Sequence, residues 1–318
     1  MRRAELKEYL RSGEALREAQ RTEPVMRGLK GIDTRVFPLL VVQPNKPFED
    51  QIGSCVLFHS QGRTFLLTAA HVIDELLHYP EDAELHLYAD REVFTLTRNK
   101  VQKVSDFIEN GEHVAIDAAV IEISQPVPKH LEERSFQECD VGDPDDEDMH
   151  IIAGYPHSMV EQRDIGGSTP ATLYALLMVP TIFYGFQLYD GIRVGVRVQD
   201  TPIDGVSLAF VNHGVHVDQG RYVQHKALQG ISGGAVLRLK GLPHNTCEPS
   251  GEKVEILLTS IVVEQRKRKY QHPPLVIGTS IRLYLALIKG YIALHDSVSC
   301  PCSWRAVQLE SRPFSAGQ

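Results

Sequence analysis

The sequence predicts an all-β fold with a helical segment at each end, and three observations carry the prediction. Short β-type runs separated by turn signals recur from Val36 to Ile281, the pattern of a sandwich or barrel. Helical spacing of apolar residues occurs only near the N-terminus and again from Leu283 to Leu294. The composition, 42% hydrophobic and 23% charged over 318 residues, supports a large core without disulfide staples. It excludes disordered, collagen-like and low-complexity classes. The length allows two domains or one large β unit with appendages.

Residues 1–31 read as a charged helical segment with Leu6, Tyr9, Leu10 and Leu16 near one face, broken around Pro24 to Gly31. Such a face packs on its own domain or receives a regulatory partner. The first β set, residues 35–138, holds Phe37 to Val42, Gly53 to His59, Thr64 to Thr68, Glu84 to Tyr88, Val93 to Thr97 and Val114 to Ile123. Residues 139–149 are acidic and lack the glycine and terminal-glutamate spacing of a calcium loop, so they read as a solvated linker. The second set, residues 150–294, starts at His150-Ile-Ile-Ala-Gly-Tyr-Pro156 and continues through Val194 to Val198, Ser207 to Val211, Gly234 to Leu239, Glu255 to Val263 and Leu275 to Ile281. It closes with a helix whose stripe is Leu283, Leu285, Leu287, Ile288 and Ile292. The tail, 295–318, has no clear pattern.

Charge and cysteine usage narrow the function classes. Lys and Arg number 33 against 41 Asp and Glu, a net charge of -8, so polyphosphate is not a default partner. The one basic run, Gln265-Arg-Lys-Arg-Lys-Tyr270, reads as a solvated hairpin loop, and no nucleic acid is expected. Five cysteines make no disulfide framework, and the N-terminus alternates charges where a signal peptide needs an apolar stretch, so a cytoplasmic location is expected. The uncharged run Ile165 to Tyr189 contains Gly166, Gly167, Pro170 and Pro180. It therefore reads as two buried strands broken at Pro180, with no membrane association. His244 with Cys247, and His295 with Cys300 and Cys302, lack the spacing of a zinc finger; no metal and no cofactor are expected.

Three local signals stand out in chain order. Arg63-Thr-Phe-Leu-Leu-Thr-Ala-Ala-His71 is an apolar strand ending in small residues and a histidine; Asp117 lies at the mouth of a strand; and Gln229-Gly-Ile-Ser-Gly-Gly-Ala235 surrounds Ser232 with glycines. A serine hydroxyl is a poor nucleophile at neutral pH. It needs a base within hydrogen-bond reach, and the base needs a carboxylate to hold its tautomer and stabilise its cation. Ser232, His71 and Asp117 have the required chemistry. Glycines at 230, 233 and 234 permit a sharp turn that aims backbone N–H groups at an oxyanion, and the amides of Gly230 and Ser232 are assigned that role.

With these residues the sequence resembles the trypsin-like, chymotrypsin-fold serine peptidases, closest to the bacterial high-temperature-requirement type. Thr68-Ala-Ala-His71, Asp117-Ala-Ala-Val120, Gly230-Ile-Ser-Gly-Gly234 and Ile277-Gly-Thr-Ser-Ile281 carry the likeness over roughly residues 35–294. The order His, Asp, Ser is that family's order. The resemblance implies two six-stranded antiparallel barrels, His71 and Asp117 on the first, Ser232 on the second, and a protein or peptide substrate in the cleft between them. It further implies that Val263, Glu264 and Gln265 pair with substrate, that Lys226 forms the base of the specificity pocket and that Gly278 forms its wall. Lys226 would favour an acidic side chain before the scissile bond.

The departures are also informative. Ile231 stands where zymogens carry the aspartate that receives a newly cut N-terminus, so activation by that salt bridge is not expected. Val263 replaces the serine that supports the catalytic aspartate. The peptide-binding domain that usually follows the high-temperature-requirement peptidase is not expected in the short stretch after Leu294. Two functions remain: an active serine endopeptidase, or a degenerate trypsin-fold module that binds peptides or scaffolds a complex.

Overall fold

The computed structural model describes Ile32 and residues 35–46, 49–89, 92–96, 101–104, 107–109, 112–114, 117–143, 148–156, 174–178, 194–198, 201–205, 207–211, 213–216, 222–224, 230–243, 254–266 and 275–296. In chain order the elements are β1 (Val36–Val42), β2 (Asp50–Ser60), β3 (Arg63–Thr68), α1 (Ala70–Glu75), β4 (Glu84–Ala89), β5 (Glu92–Leu96), β6 (Val101–Val104), β7 (Phe107–Glu109), β8 (Glu112–Val114), β9 (Ala118–Glu122) and α2 (Lys129–Arg134). They continue as β10 (Asp148–Gly154), β11 (Tyr174–Met178), β12 (Val194–Val198), β13 (Thr201–Gly205), β14 (Ser207–Val211), β15 (His213–His216), β16 (Tyr222–Gln224), β17 (Ala235–Pro243), β18 (Glu255–Arg266), β19 (Leu275–Ser280) and α3 (Ile281–Asp296).

The fold is mostly β. One sheet has seven strands in the order β5-β4-β1-β2-β3-β9-β6, a second has eight in the order β14-β19-β18-β17-β10-β11-β15-β16, and β7–β8 and β12–β13 form separate hairpins. The first sheet curls into a half-barrel, and among the described residues its edge strands β5 and β6 do not pair with each other. The strand counts therefore differ from six and six, and closure into two barrels is not among the described pairings. The extra strand of the first sheet, β6, and the separate β7–β8 hairpin come from residues 101–114, where alternation is too weak to announce them.

The run Val114 to Ile123, expected as one strand, is two. Val114 pairs with Phe107 in a hairpin, whereas β9 starts at Ala118 because Ala119 must pair with both Thr68 and Lys103. The break leaves Asp117 outside both ladders, free to use its carboxylate. The acidic stretch is also more structured than a linker: Glu138–Asp140 forms a 3-10 turn, and Asp148 belongs to β10, buried against Arg238 at 2.7 Å. Of the uncharged run, Tyr174–Met178 is β11 and the remainder lies outside the described residues. Among the described residues no helix is long and apolar enough to cross a membrane. Residues 1–31, Lys226, the loop 267–270 and the tail with Cys300 and Cys302 also lie outside the described residues.

Strand alternation splits the first sheet between two cores. Val56, Phe58, Phe65, Leu67, Ala118 and Val120 face the second sheet and α3, while Cys55, Leu57, Leu66, Ala119 and Ile121 fill the inside of the curl beneath α1. Both faces are buried, which explains runs such as Phe65-Leu-Leu67 that carry no polar face. Cys55 is wholly enclosed, and burial pushes its thiol pKa far above the ordinary value.

Helix α3 begins with Ser280, whose Oγ accepts the Arg282 N–H at 3.3 Å as an N-cap. Its buried face is Leu283, Tyr284, Leu287, Ile288, Tyr291 and Ile292, a 3.6-residue stripe in which each large apolar residue is worth about 1.5–3 kcal/mol of burial. The helix leaves the second sheet and returns across the first. The Tyr291 ring meets Phe65 edge-on with centroids 5.9 Å apart, its hydroxyl donates to Glu122 at 2.8 Å, and Arg63 pairs with Asp296 at 2.6 Å.

Candidate active site

β3 and β9 are antiparallel neighbours with Thr68 opposite Ala119, so the residue leaving β3 and the residue entering β9 emerge at the same end of the sheet. That register brings together His71, the second residue of α1, and Asp117. Helix α1 buries Ala70, Val72 and Ile73 and turns His71 outward, half-exposed. The Asp117 carboxylate takes two bonds from this one residue: Oδ1 accepts the His71 backbone N–H at 3.0 Å, and Oδ2 lies 2.5 Å from Nδ1. With Nδ1 committed as donor to the Asp117 carboxylate, Nε2 on the other side of the ring is left as the acceptor. Burial opposes the imidazolium, but the hydrogen bond and charge of Asp117, with smaller contributions from Glu75 and Asp74, outweigh it and raise the His71 pKa above 6.5.

The Asp117 main chain is held from α3 and β19. The buried Tyr284 hydroxyl donates to the Thr68 carbonyl at 3.0 Å and lies 3.4 Å from the Asp117 carbonyl, which Thr279 Oγ1 also approaches at 3.4 Å. These groups orient the backbone on both sides of the pair, while among the described residues only His71 bonds the carboxylate. Burial and the nearby Asp117 charge keep the Tyr284 phenol well above its ordinary pKa, so it remains a donor.

Ser232 sits on a tight turn. The Gly234 N–H donates to the Ile231 carbonyl at 2.8 Å, and Gly233 has φ 88°, the signature of a type II turn whose third residue must be left-handed. A Cβ at Gly233 would also overlap the Ser54 carbonyl and Thr68 Oγ1, and one at Gly234 would overlap the Ala153 carbonyl. Both positions need glycine. The turn is docked on β18, with Gly233 N–H to the Val262 carbonyl at 2.6 Å and Val262 N–H to the Gly234 carbonyl at 2.8 Å. It is docked on the first sheet as well, where Ser54 N–H donates to the Ser232 carbonyl at 2.7 Å. Among the described residues the Ser232 hydroxyl has one acceptor, the Val263 carbonyl at 3.5 Å, and makes no hydrogen bond to His71. The Ser232 N–H has no acceptor among the described residues, and Gly230 adopts φ 94°.

The remaining expected residues divide. Val263 is a bulge between Val262 and Glu264 with its side chain in the core of the first sheet, and Glu264 and Gln265 continue β18 opposite Ile277 and Val276. The β17 partner ends at Ile261, so among the described residues the other edge of β18 from Val263 onward carries no strand. Gly278 does not open a cavity at its own position. A Cβ there would meet Ser260 at 3.0 Å and Val236 at 3.2 Å, so strand packing also calls for a glycine at this position. Lys226, expected as the pocket base, lies outside the described residues. Ile231 is buried, with its side chain packed on Gly154.

Sequence reasoning missed Ser54, Thr279 and Tyr284. A polar residue inside the apolar run Ile52-Gly-Ser-Cys-Val-Leu-Phe58 was the available signal for Ser54. Tyr284 lies outside the stripe of Leu and Ile residues read from the sequence, and nothing local marks its hydroxyl. Among the described residues no group of three or more His, Cys, Asp or Glu side chains is placed to hold a metal ion. No protein-family model matches this chain, and no curated protein is similar to it.

Proposed function

We propose that this protein is a serine endopeptidase of the trypsin-like, chymotrypsin-fold type, its seven-stranded and eight-stranded sheets acting as the two barrels of that architecture. The observation that carries the proposal is the pair of hydrogen bonds that the Asp117 carboxylate accepts from His71, formed beside a glycine turn that presents Ser232. In this mechanism His71 Nε2 takes the Ser232 proton as Oγ attacks the peptide carbonyl. Asp117 stabilises the imidazolium, and the Gly230 and Ser232 N–H groups receive the oxyanion. His71 then protonates the leaving amine, and water repeats the cycle to release the acyl group. The edge of β18 from Val263 onward, which carries no strand among the described residues, suits an extended peptide that adds as a strand beside Ser232. Buried Ile231 leaves no acid for a newly cut N-terminus, which supports activity without zymogen-type cleavage.

One observation favours the non-catalytic alternative: the Ser232 hydroxyl is turned toward the Val263 carbonyl. Catalytic hydrogen bonds are often loose before substrate binds, and labelling separates the two readings. A fluorophosphonate probe is expected to label the wild type and neither Ser232→Ala nor His71→Ala. Failure to label wild-type protein, or equal labelling of Ser232→Ala, overturns the peptidase reading.

A further inference from the structure

The Ser232 turn is useful to catalysis only if its peptide planes stay in one orientation, because rotating the Gly230–Ile231 plane changes how the Gly230 and Ser232 N–H groups on either side of it are aimed. Two of the three planes from Gly230 to Gly233 are pinned by main-chain donors: the Ile231 carbonyl by Gly234 N–H, and the Ser232 carbonyl by Ser54 N–H. The first plane, between Gly230 and Ile231, is pinned by a side chain. Ser54 Oγ donates to the Gly230 carbonyl at 2.9 Å and accepts the Tyr155 N–H at 2.8 Å. Glycine at this position has a wide choice of backbone angles, so nothing intrinsic to Gly230 holds φ at 94°.

The surroundings of Ser54 are built for this. The residue is completely buried, Thr68 Oγ1 donates to its carbonyl at 2.8 Å, and Gln51 Nε2 donates to the Tyr155 carbonyl, so both main-chain polar groups of Tyr155 are held from β2. Buried Ile231 fills the space beside Gly154, where an acidic side chain would otherwise be available to fix the turn.

We infer that the Ser54 hydroxyl is a positioning residue that locks the Gly230–Ile231 peptide, keeping the oxyanion-binding amides aligned without a cleaved N-terminus. The inference rests on the peptidase reading for its catalytic consequence, but its structural claim is testable without activity. Ser54 touches no substrate; it acts through Gly230.

Two measurements on Ser54→Ala and Ser54→Thr test it. Amide hydrogen exchange is expected to speed up at least about tenfold at Tyr155 and across Gly230 to Gly234 in Ser54→Ala, with the β9 amides unchanged; local openings report the loss of a specific clamp. Fluorophosphonate inactivation is expected to show a maximal rate lowered roughly tenfold or more with probe affinity within about twofold, since removing an oxyanion donor outright costs roughly 10²–10³. Ser54→Thr, which keeps the hydroxyl, should recover most of that rate. If Ser54→Ala does not fold, Ser54→Cys keeps the size with a weak donor and should show the same two changes. Unchanged exchange around Gly230 in a folded Ser54→Ala overturns the inference, as does a wild-type inactivation rate in that variant. Faster exchange in Ser54→Ala together with a wild type inert to the probe upholds the clamp and removes the peptidase reading instead.

Discussion

The two halves of the site are positioned in different ways. His71 and Asp117 come from neighbouring strands of one sheet, and their meeting follows from a single register, Thr68 opposite Ala119. Ser232 belongs to the second sheet, yet its turn is tied to the first through Ser54 and to β18 through Val262. The His71–Asp117 pair is therefore a local product of one ladder, whereas Ser232 is held in its place only because two sheets are docked. Damage at the seam should move the serine and leave the pair intact.

The largest effect expected from this contrast is chemical and touches both halves alike. Ser232→Ala and His71→Ala should each lower the rate of hydrolysis of an activated ester by at least about 10⁴, since members of a triad act as one unit. A loss of less than about tenfold in either variant would break the comparison at its root. Asp117→Asn comes next, with a loss of roughly 10³–10⁴ as the imidazole adopts the wrong tautomer.

The pH dependence isolates the first half. His71 must be neutral to act as base, so the wild-type rate should rise with pH through an apparent pKa above 6.5, and Asp117→Asn should bring that value down, measured by proton NMR titration of the ring. The stability effect has a definite sign. Because folding raises the His71 pKa, the contribution of the pair is fully present below 6.5 and is lost as pH rises through the folded value. A titration midpoint below 6.5 in the wild type would contradict the geometry.

Gly233→Ala separates the halves. Its Cβ would overlap the Ser54 carbonyl and its φ is left-handed, so the substitution should cost about 3–5 kcal/mol in urea unfolding. Any folded protein should keep the raised His71 pKa while losing probe labelling. Tyr284→Phe has the smallest effect, about 1–3 kcal/mol from leaving the buried Thr68 carbonyl without its donor, with a labelling rate lowered less than by Ser54→Ala. An unchanged melting temperature in Tyr284→Phe would show that the hydroxyl does not brace the pair.

The β character, most strands of the first sheet and the C-terminal helix were legible in the sequence, because alternation and the 3.6-residue stripe are local signals. So were His71, Asp117 and the glycines around Ser232, whose residue types announce their chemistry. Residues 101–114 hid three short strands, since edge strands need little apolar alternation. Val114 was joined to the Asp117 strand because both stretches have strand character, and only the pairing of Ala119 with two neighbours shows where the ladder breaks.

By itself the sequence determined the types of group available: a nucleophile flanked by glycines, a histidine after an apolar strand, and a carboxylate at the head of another. Tertiary structure alone decided which of them touch. The His71–Asp117 contact depends on antiparallel register, and the Ser232 turn depends on Ser54, 178 positions earlier in the chain and bonded to it only after the sheets dock. Gly278 makes the same point in the other direction. Its identity alone does not show that a Cβ there would crowd Ser260 and Val236 on the neighbouring strands. Whether a small residue makes room for a ligand or for a neighbouring strand is set by what packs against it, and that information is nonlocal.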